Sequence, residues 1–248
     1  MKITANTRTV VRRNYALITP DGFVSSVIPG WQGCEFRVII NPAMGARFSQ
    51  HLVDMQPGGI GNGLMDDSEC FFYVVSGHCR VEVRGKTLEM RSGSYVFIPP
   101  RTSYSFTCDT SAAQLLSFQK IYEPLGGLPF PGLISGNSED IEPQMYAKDP
   151  QLHMQHLLPD TLSFDMAVNI FTYQPGGNLP FVETHVMEHG LLYLAGQGIY
   201  RLDEDWYAVS KGDSIWMAPY CPQWFTAMGK EPAVYIYYKD VNRYSMAQ

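Results

Sequence analysis

The chain repeats itself, and that limits its folds more than any other feature. Gly77, Gly93, Pro100 and Phe106 recur as Gly196, Gly212, Pro219 and Phe225, each 119 residues later and without a gap. Upstream, Gln56-Pro57-Gly58-Gly59 recurs as Gln174-Pro175-Gly176-Gly177 at an offset of 118, and downstream Lys120 recurs as Lys239 at 119. A coherent offset over about 65 residues implies two copies of one unit, each a little over 100 residues long.

Each unit reads as short strands. VEVRGKTLEM and YRLDEDWYAV alternate apolar and polar positions around a turn, the pattern of a hairpin. A Gly-x-x-x-x-x-x-Pro stretch follows in both copies as a turn into a strand closed by prolines. Pro20-Asp21-Gly22 marks a turn in an N-terminal segment that adds further strands. Residues 123–146 are rich in Gly, Pro and Ser and read as the linker. Asp149 to Leu158 gives the one helical pattern, with Leu152, His156 and Leu157 near one face. The expected fold is all-β: two tandem small jelly-roll barrels, residues 1–125 and 126–248, with a short linker helix.

Composition narrows the partners. Of 248 residues, 45% are hydrophobic and 17% charged, ample for a core. A net charge of −6 with scattered basic residues excludes a phosphate-binding footprint, so no nucleic-acid partner is expected. No apolar run approaches the ~20 residues needed to span a bilayer, so no membrane partner is expected. The start MKITANTRTVVRRNYAL lacks a signal-peptide core, which points to the cytoplasm. Cys34, Cys70, Cys79, Cys108 and Cys221 are odd in number and form no C-x-x-C pair, so all five are expected as reduced, buried side chains. Apolar strands such as Val234-YIYY suggest a homo-oligomer.

The chemistry concentrates in the second copy. Glu183, His185 and His189 share parity, so on one strand all three would face one barrel interior. Two imidazoles and a carboxylate in an apolar interior need a counter-charge, which a divalent cation supplies. Gln223, after the Pro219–Pro222 turn, is the fourth candidate ligand. Glu188 has the opposite parity and should face away. A set of two nitrogens and two oxygens suits Mn, Fe, Ni or Zn. A divalent ion with one carboxylate leaves a net charge of about +1, which favours a small anionic substrate. The 119 offset puts Leu64, Asp66, Cys70 and Tyr104 at the matching positions of the first copy. That set is too poor in ligands, so the first copy is expected to be metal-free and structural. His51, His78, His153 and His156 are expected as ordinary surface or core-edge histidines.

The frame G-x5-E-x-H-x3-H-x6-G, followed by G-D and P-x-x-P-Q, resembles the cupin superfamily with an altered ligand set. Together with ETHVMEHGLLYLAGQGIYRL, GDSIWMAPYCPQW, YKDVNR and the N-terminal NYALITPDGFVSSVIPGW, it resembles the (S)-ureidoglycine aminohydrolase family, bicupins of purine degradation. The resemblance spans nearly the whole chain. It implies Mn²⁺ held by Glu183, His185, His189 and Gln223, and hydrolysis of (S)-ureidoglycine to (S)-ureidoglycolate and ammonia. It implies substrate-binding roles for Tyr200, Tyr235, Lys239 and Glu183, and catalytic roles for Glu183 and Lys239. Lys120, at the matching place in the first copy, weighs against Lys239, since a lysine there need not be catalytic. Two rival readings are another metal cupin enzyme, such as a non-haem iron dioxygenase or isomerase, and a metal-free storage or binding bicupin.

Overall fold

The computed structural model describes residues 7–243, so the first six residues of the N-terminal start lie outside the described residues. Twenty strands and three short 3₁₀ turns make up the described chain, which holds no α-helix. Both expected hairpins form. Ser68–Val83 turns into Lys86–Arg91 through Arg84-Gly85, and Gln197–Leu202 turns into Asp205–Ser210 through Asp203-Glu204. Pro20–Gly22 is a 3₁₀ turn.

The expected helix does not form. Leu152–His156 is a strand paired antiparallel with Met166–Tyr173, Leu152 opposite Tyr173. Leu152 and Met154 are buried while His153 and Gln155 are not, so the same residues also satisfy a period of two. A waiting sheet edge, absent from any local reading, decides between the two periods. The linker is also structured: Ile134–Asn137 and Gln144–Met145 are strands.

The sheets do not divide the chain at residue 125. Tyr15–Ile18 pairs with Ser214–Met217 and joins the eight-stranded sheet of the second copy. Ile134–Asn137 pairs with Ser94–Ile98 and joins the nine-stranded sheet of the first. Each barrel therefore takes an edge strand from the segment next to the other, which covers edges that would otherwise be open. A three-stranded sheet, built on Gln197–Leu202, closes the second barrel.

Three apolar clusters follow from strand alternation. One fills the first barrel around Trp31, Phe72 and Phe106, and one fills part of the second around Tyr173, Tyr193 and Phe225. The third joins the barrels, with Phe48, Phe71, Phe97 and Phe118 packed against Trp216, Ile236 and Tyr238. Charges seal this junction. Lys120 pairs with Asp165, Arg47 binds Asp240 at 2.6 Å, and Arg8 makes a bidentate pair with Asp213 at 2.8 Å. Glu188 belongs here, as its parity requires, accepting from Trp216 Nε1 at 2.7 Å and from the Arg47 backbone N–H at 3.0 Å. All five cysteines are buried free thiols. No described helix is long and apolar enough to cross a membrane.

Candidate active site

The second barrel is hollow. A cavity of about 480 Å³ is lined by Tyr146, Asn169, Glu183, His185, His189, Tyr200, Gln223, Tyr235, Tyr237 and Lys239, among others. All seven residues singled out in the sequence therefore face one space, but not by the route that parity suggested. Of Glu183, His185 and His189, only His189 lies in a strand, His189–Ala195. Glu183 sits in an isolated bridge with Gln223, and His185 lies in irregular chain. Pro180 cannot donate to a ladder, and Pro180–Val182 bulges out between the Leu179 N–H, bonded to Phe225 O, and the Glu183 bridge. Reciprocal backbone bonds then fix Glu183: its N–H reaches Gln223 O at 2.8 Å, and the Gln223 N–H reaches Glu183 O at 2.9 Å.

The imidazoles face each other. His185 Nε2 and His189 Nε2 are 3.0 Å apart, and Gln223 Nε2 is 3.1 Å from the same His185 nitrogen. His185 Nδ1 lies 3.1 Å from the Met187 carbonyl, which can only accept, so that nitrogen carries the proton and Nε2 presents a lone pair. Burial pulls the His189 pKa well below the ordinary histidine value, with the neighbouring His185 and Lys239 adding to the effect. Burial thus favours its neutral form, in which one ring nitrogen is free to act as a ligand. Two imidazole nitrogens 3.0 Å apart, with an amide and a carboxylate on the same cavity, form a donor set that fits a divalent cation. Among the described residues no three His, Cys, Asp or Glu side chains are gathered to hold an ion as they stand. Glu183 Oε1 instead accepts from the Tyr146 hydroxyl at 3.0 Å.

Tyr200 donates to Gln223 Oε1 at 3.0 Å and is fully buried, so it acts on the site through Gln223. A half-turn of the Gln223 amide would aim Oε1 at the imidazoles and leave Nε2 for the Tyr200 oxygen. Tyr235 lines the cavity with its hydroxyl 2.9 Å from that of Tyr173. Lys239 stands opposite His189 in the sheet, and burial lowers its pKa, partly offset by the charge on Glu183.

The pairing also revises the match between copies. In the last strand of each, His189 pairs with Lys239 and Cys70 pairs with Gln119. The counterpart of Lys239 is therefore Gln119, and Lys120 corresponds to Asp240 at the barrel junction. The segment Thr226–Ala233 is one residue longer than Thr107–Ala113, and a one-residue shift reverses a strand's faces. Lys120 no longer weighs against Lys239. Likewise Gly63, not Leu64, stands where Glu183 does, since Gly63 pairs with Tyr104.

The sequence alone assigns no role to Tyr146, Asn169 or Tyr237. Tyr237 shares the parity of Tyr235 and Lys239, a signal that was available. His156, expected as an ordinary surface or core-edge histidine, is exposed at the end of Leu152–His156. It lines the cavity mouth with Nδ1 2.9 Å from Asn169 Oδ1. Tyr146 sits in the segment read as linker, and nothing local marks it.

Comparison with known proteins agrees with this architecture. A cupin domain model matches residues 51–118 and 169–238, once per barrel. An Escherichia coli (strain K12) protein named (S)-ureidoglycine aminohydrolase is 37% identical over 243 residues, covering 96% of this chain and 93% of the relative. An Arabidopsis thaliana protein of the same name is 38% identical, covering 96% of this chain and 79% of the relative. The crystal structure of the E. coli protein Ylba superposes with a TM-score of 0.87 at 35% identity, covering 98% of this chain and 97% of that one.

Proposed function

We propose a function from one premise: the chain belongs to the (S)-ureidoglycine aminohydrolase family of the cupins. Its reaction is the hydrolysis of (S)-ureidoglycine to (S)-ureidoglycolate and ammonia, a step of purine degradation, carried out in the C-terminal barrel. The facing pair His185 and His189, enclosed with Glu183, Gln223 and Lys239 in one cavity, is the observation that carries this reading. A divalent ion, Mn²⁺ by family likeness, would be held by Glu183, His185, His189 and Gln223 and would supply the positive charge that orients the substrate's amine or carboxylate.

The rest falls to the chain's own residues. The substrate carbon bears an amine, a ureido group and a carboxylate. Lys239, a half-buried ammonium, pairs with the carboxylate and fixes which face of that carbon meets water. The C–N bond to the amine breaks as its electron pair leaves with nitrogen, which must gain a proton to depart as ammonia. Water adds at the same carbon and gives up a proton. Glu183 is placed to carry these protons. Tyr235, Tyr237, Leu191 and Met217 wall the cavity and limit stray water.

Ammonia release from freshly generated ureidoglycine tests the proposal, measured with Mn²⁺ and again after chelation. Release that disappears on chelation and returns with Mn²⁺ is expected. Oxygen uptake without ammonia, or no turnover in either state, overturns it.

A further inference from the structure

The side chain that touches Glu183 comes from outside the repeat. Tyr146 directly follows the strand Gln144–Met145, in the segment between the two cupin copies, and donates its hydroxyl to Glu183 Oε1 at 3.0 Å. We propose that Tyr146 is a positioning residue: it holds one oxygen of the Glu183 carboxylate so that the other faces the cation bound by His185, His189 and Gln223. The proposal rests on the metal-dependent reading above and adds a residue to it.

Glu183 has little other freedom. Its backbone is clamped to Gln223 on both sides, so the side-chain torsions are what remains to be set. A carboxylate has two oxygens, and one hydrogen bond to a fixed phenol selects among its rotamers. A carboxylate oxygen can only accept, so the phenol hydroxyl is the donor in this contact.

The chain is shaped to deliver this phenol. The Tyr146 ring meets Phe171 edge-on at 5.0 Å, and its N–H bonds to Leu152 O at 2.9 Å. The turn that follows places two consecutive non-glycine residues, Ala147 (φ 52°) and Lys148 (φ 61°), in the left-handed region. Asp149 N–H closes the turn on Tyr146 O at 3.0 Å. Left-handed backbone is costly for residues with a Cβ and persists where the surroundings require it. Here it keeps Tyr146 over the cavity rather than on the surface.

The test is Tyr146→Phe in the full chain, read by Mn²⁺ titration and by steady-state kinetics. Mn²⁺ affinity should fall about 10- to 100-fold, the range for removing a group that orients a ligand. kcat should fall with KM for ureidoglycine little changed, and the thermal midpoint of the metal-free protein should stay within a few degrees of the parent. A structural role alone would move the midpoint and leave the metal affinity of the folded protein intact. Should Tyr146→Phe fail to fold, the Mn²⁺-loaded parent crystal structure decides. Tyr146 should lie within hydrogen-bond reach of one Glu183 oxygen while the other oxygen contacts the ion. Unchanged Mn²⁺ affinity, or both Glu183 oxygens away from Tyr146, overturns the proposal. A parent that binds Mn²⁺ but releases no ammonia refutes the assigned reaction and leaves the Tyr146 result readable. A parent that binds no Mn²⁺ refutes both.

Discussion

Where the C-terminal barrel carries His189, the N-terminal barrel carries Cys70, and across the same strand pairing Lys239 is answered by Gln119. Gln223 is answered by Tyr104, and Glu183 by Gly63. The first interior is packed solid. Trp31, Phe72, Tyr104 and Phe106 pack in tilted, edge-on and stacked contacts with centroids 4.8–6.5 Å apart. A Cβ added at Gly63 would fall 2.3 Å from the Tyr104 hydroxyl, so the aromatic ring occupies the space a ligand at that position would need. The ladders differ to match. Ile60–Met65 pairs residue for residue with Thr102–Thr107, whereas the second copy retains only Asn178–Thr226 and Glu183–Gln223 as isolated bridges. One scaffold thus serves two ends. Filled with aromatic rings it is a brace; with the ladder bulged and polar groups turned inward it becomes a chamber.

Exchanging residues between the copies should break this contrast. His189→Cys with Gln223→Tyr installs the first barrel's side chains in the second. Ammonia release should fall by at least about 100-fold and bound metal should be lost, since two ligands go at once; elemental analysis and an ammonia assay check both. Lys239→Gln installs the residue of the first barrel and removes a charge-assisted bond of about 1.5–3 kcal/mol, so kcat/KM should fall about 10- to 100-fold while metal content holds. Gly63→Ala, the converse intrusion, should cost about 1–3 kcal/mol of stability through overpacking against Tyr104, seen in denaturant melts, with activity of the folded fraction unchanged. The smallest effect concerns pH. Burial holds His51, in the first barrel beside Ser117, at about 4, below its unfolded value of 6.5. The unfolded chain therefore takes up a proton first. The stability held above 6.5 should decline as pH falls below it, by about 2 kcal/mol at pH 5, and a His51→Asn variant should lack this slope.

Much of this contrast is legible in the sequence because repetition and alternation are local. The two hairpins and the outward turn of Glu188 follow from alternation, and the buried free cysteines from their count and the absence of a C-x-x-C pair. What the sequence hides is pairing. Leu152–His156 fits either period until Met166–Tyr173 lies beside it. Lys120 aligns with Lys239 by count, yet one extra residue before the last strand sends the two to opposite faces. Glu183 and His185 share parity with His189 but reach the cavity through a bulge and a bridge rather than along a strand. Tyr146 could not be read at all. It belongs to neither copy, and only the fold-back of the connecting segment brings it to Glu183.

Metal stoichiometry tests the central claim most directly. The chain, purified with Mn²⁺ and passed through a desalting column, should carry about one ion, and His185→Ala should carry none while keeping its fold. Two ions per parent chain, or an ion retained by the His185→Ala variant, would contradict the division of labour between the barrels.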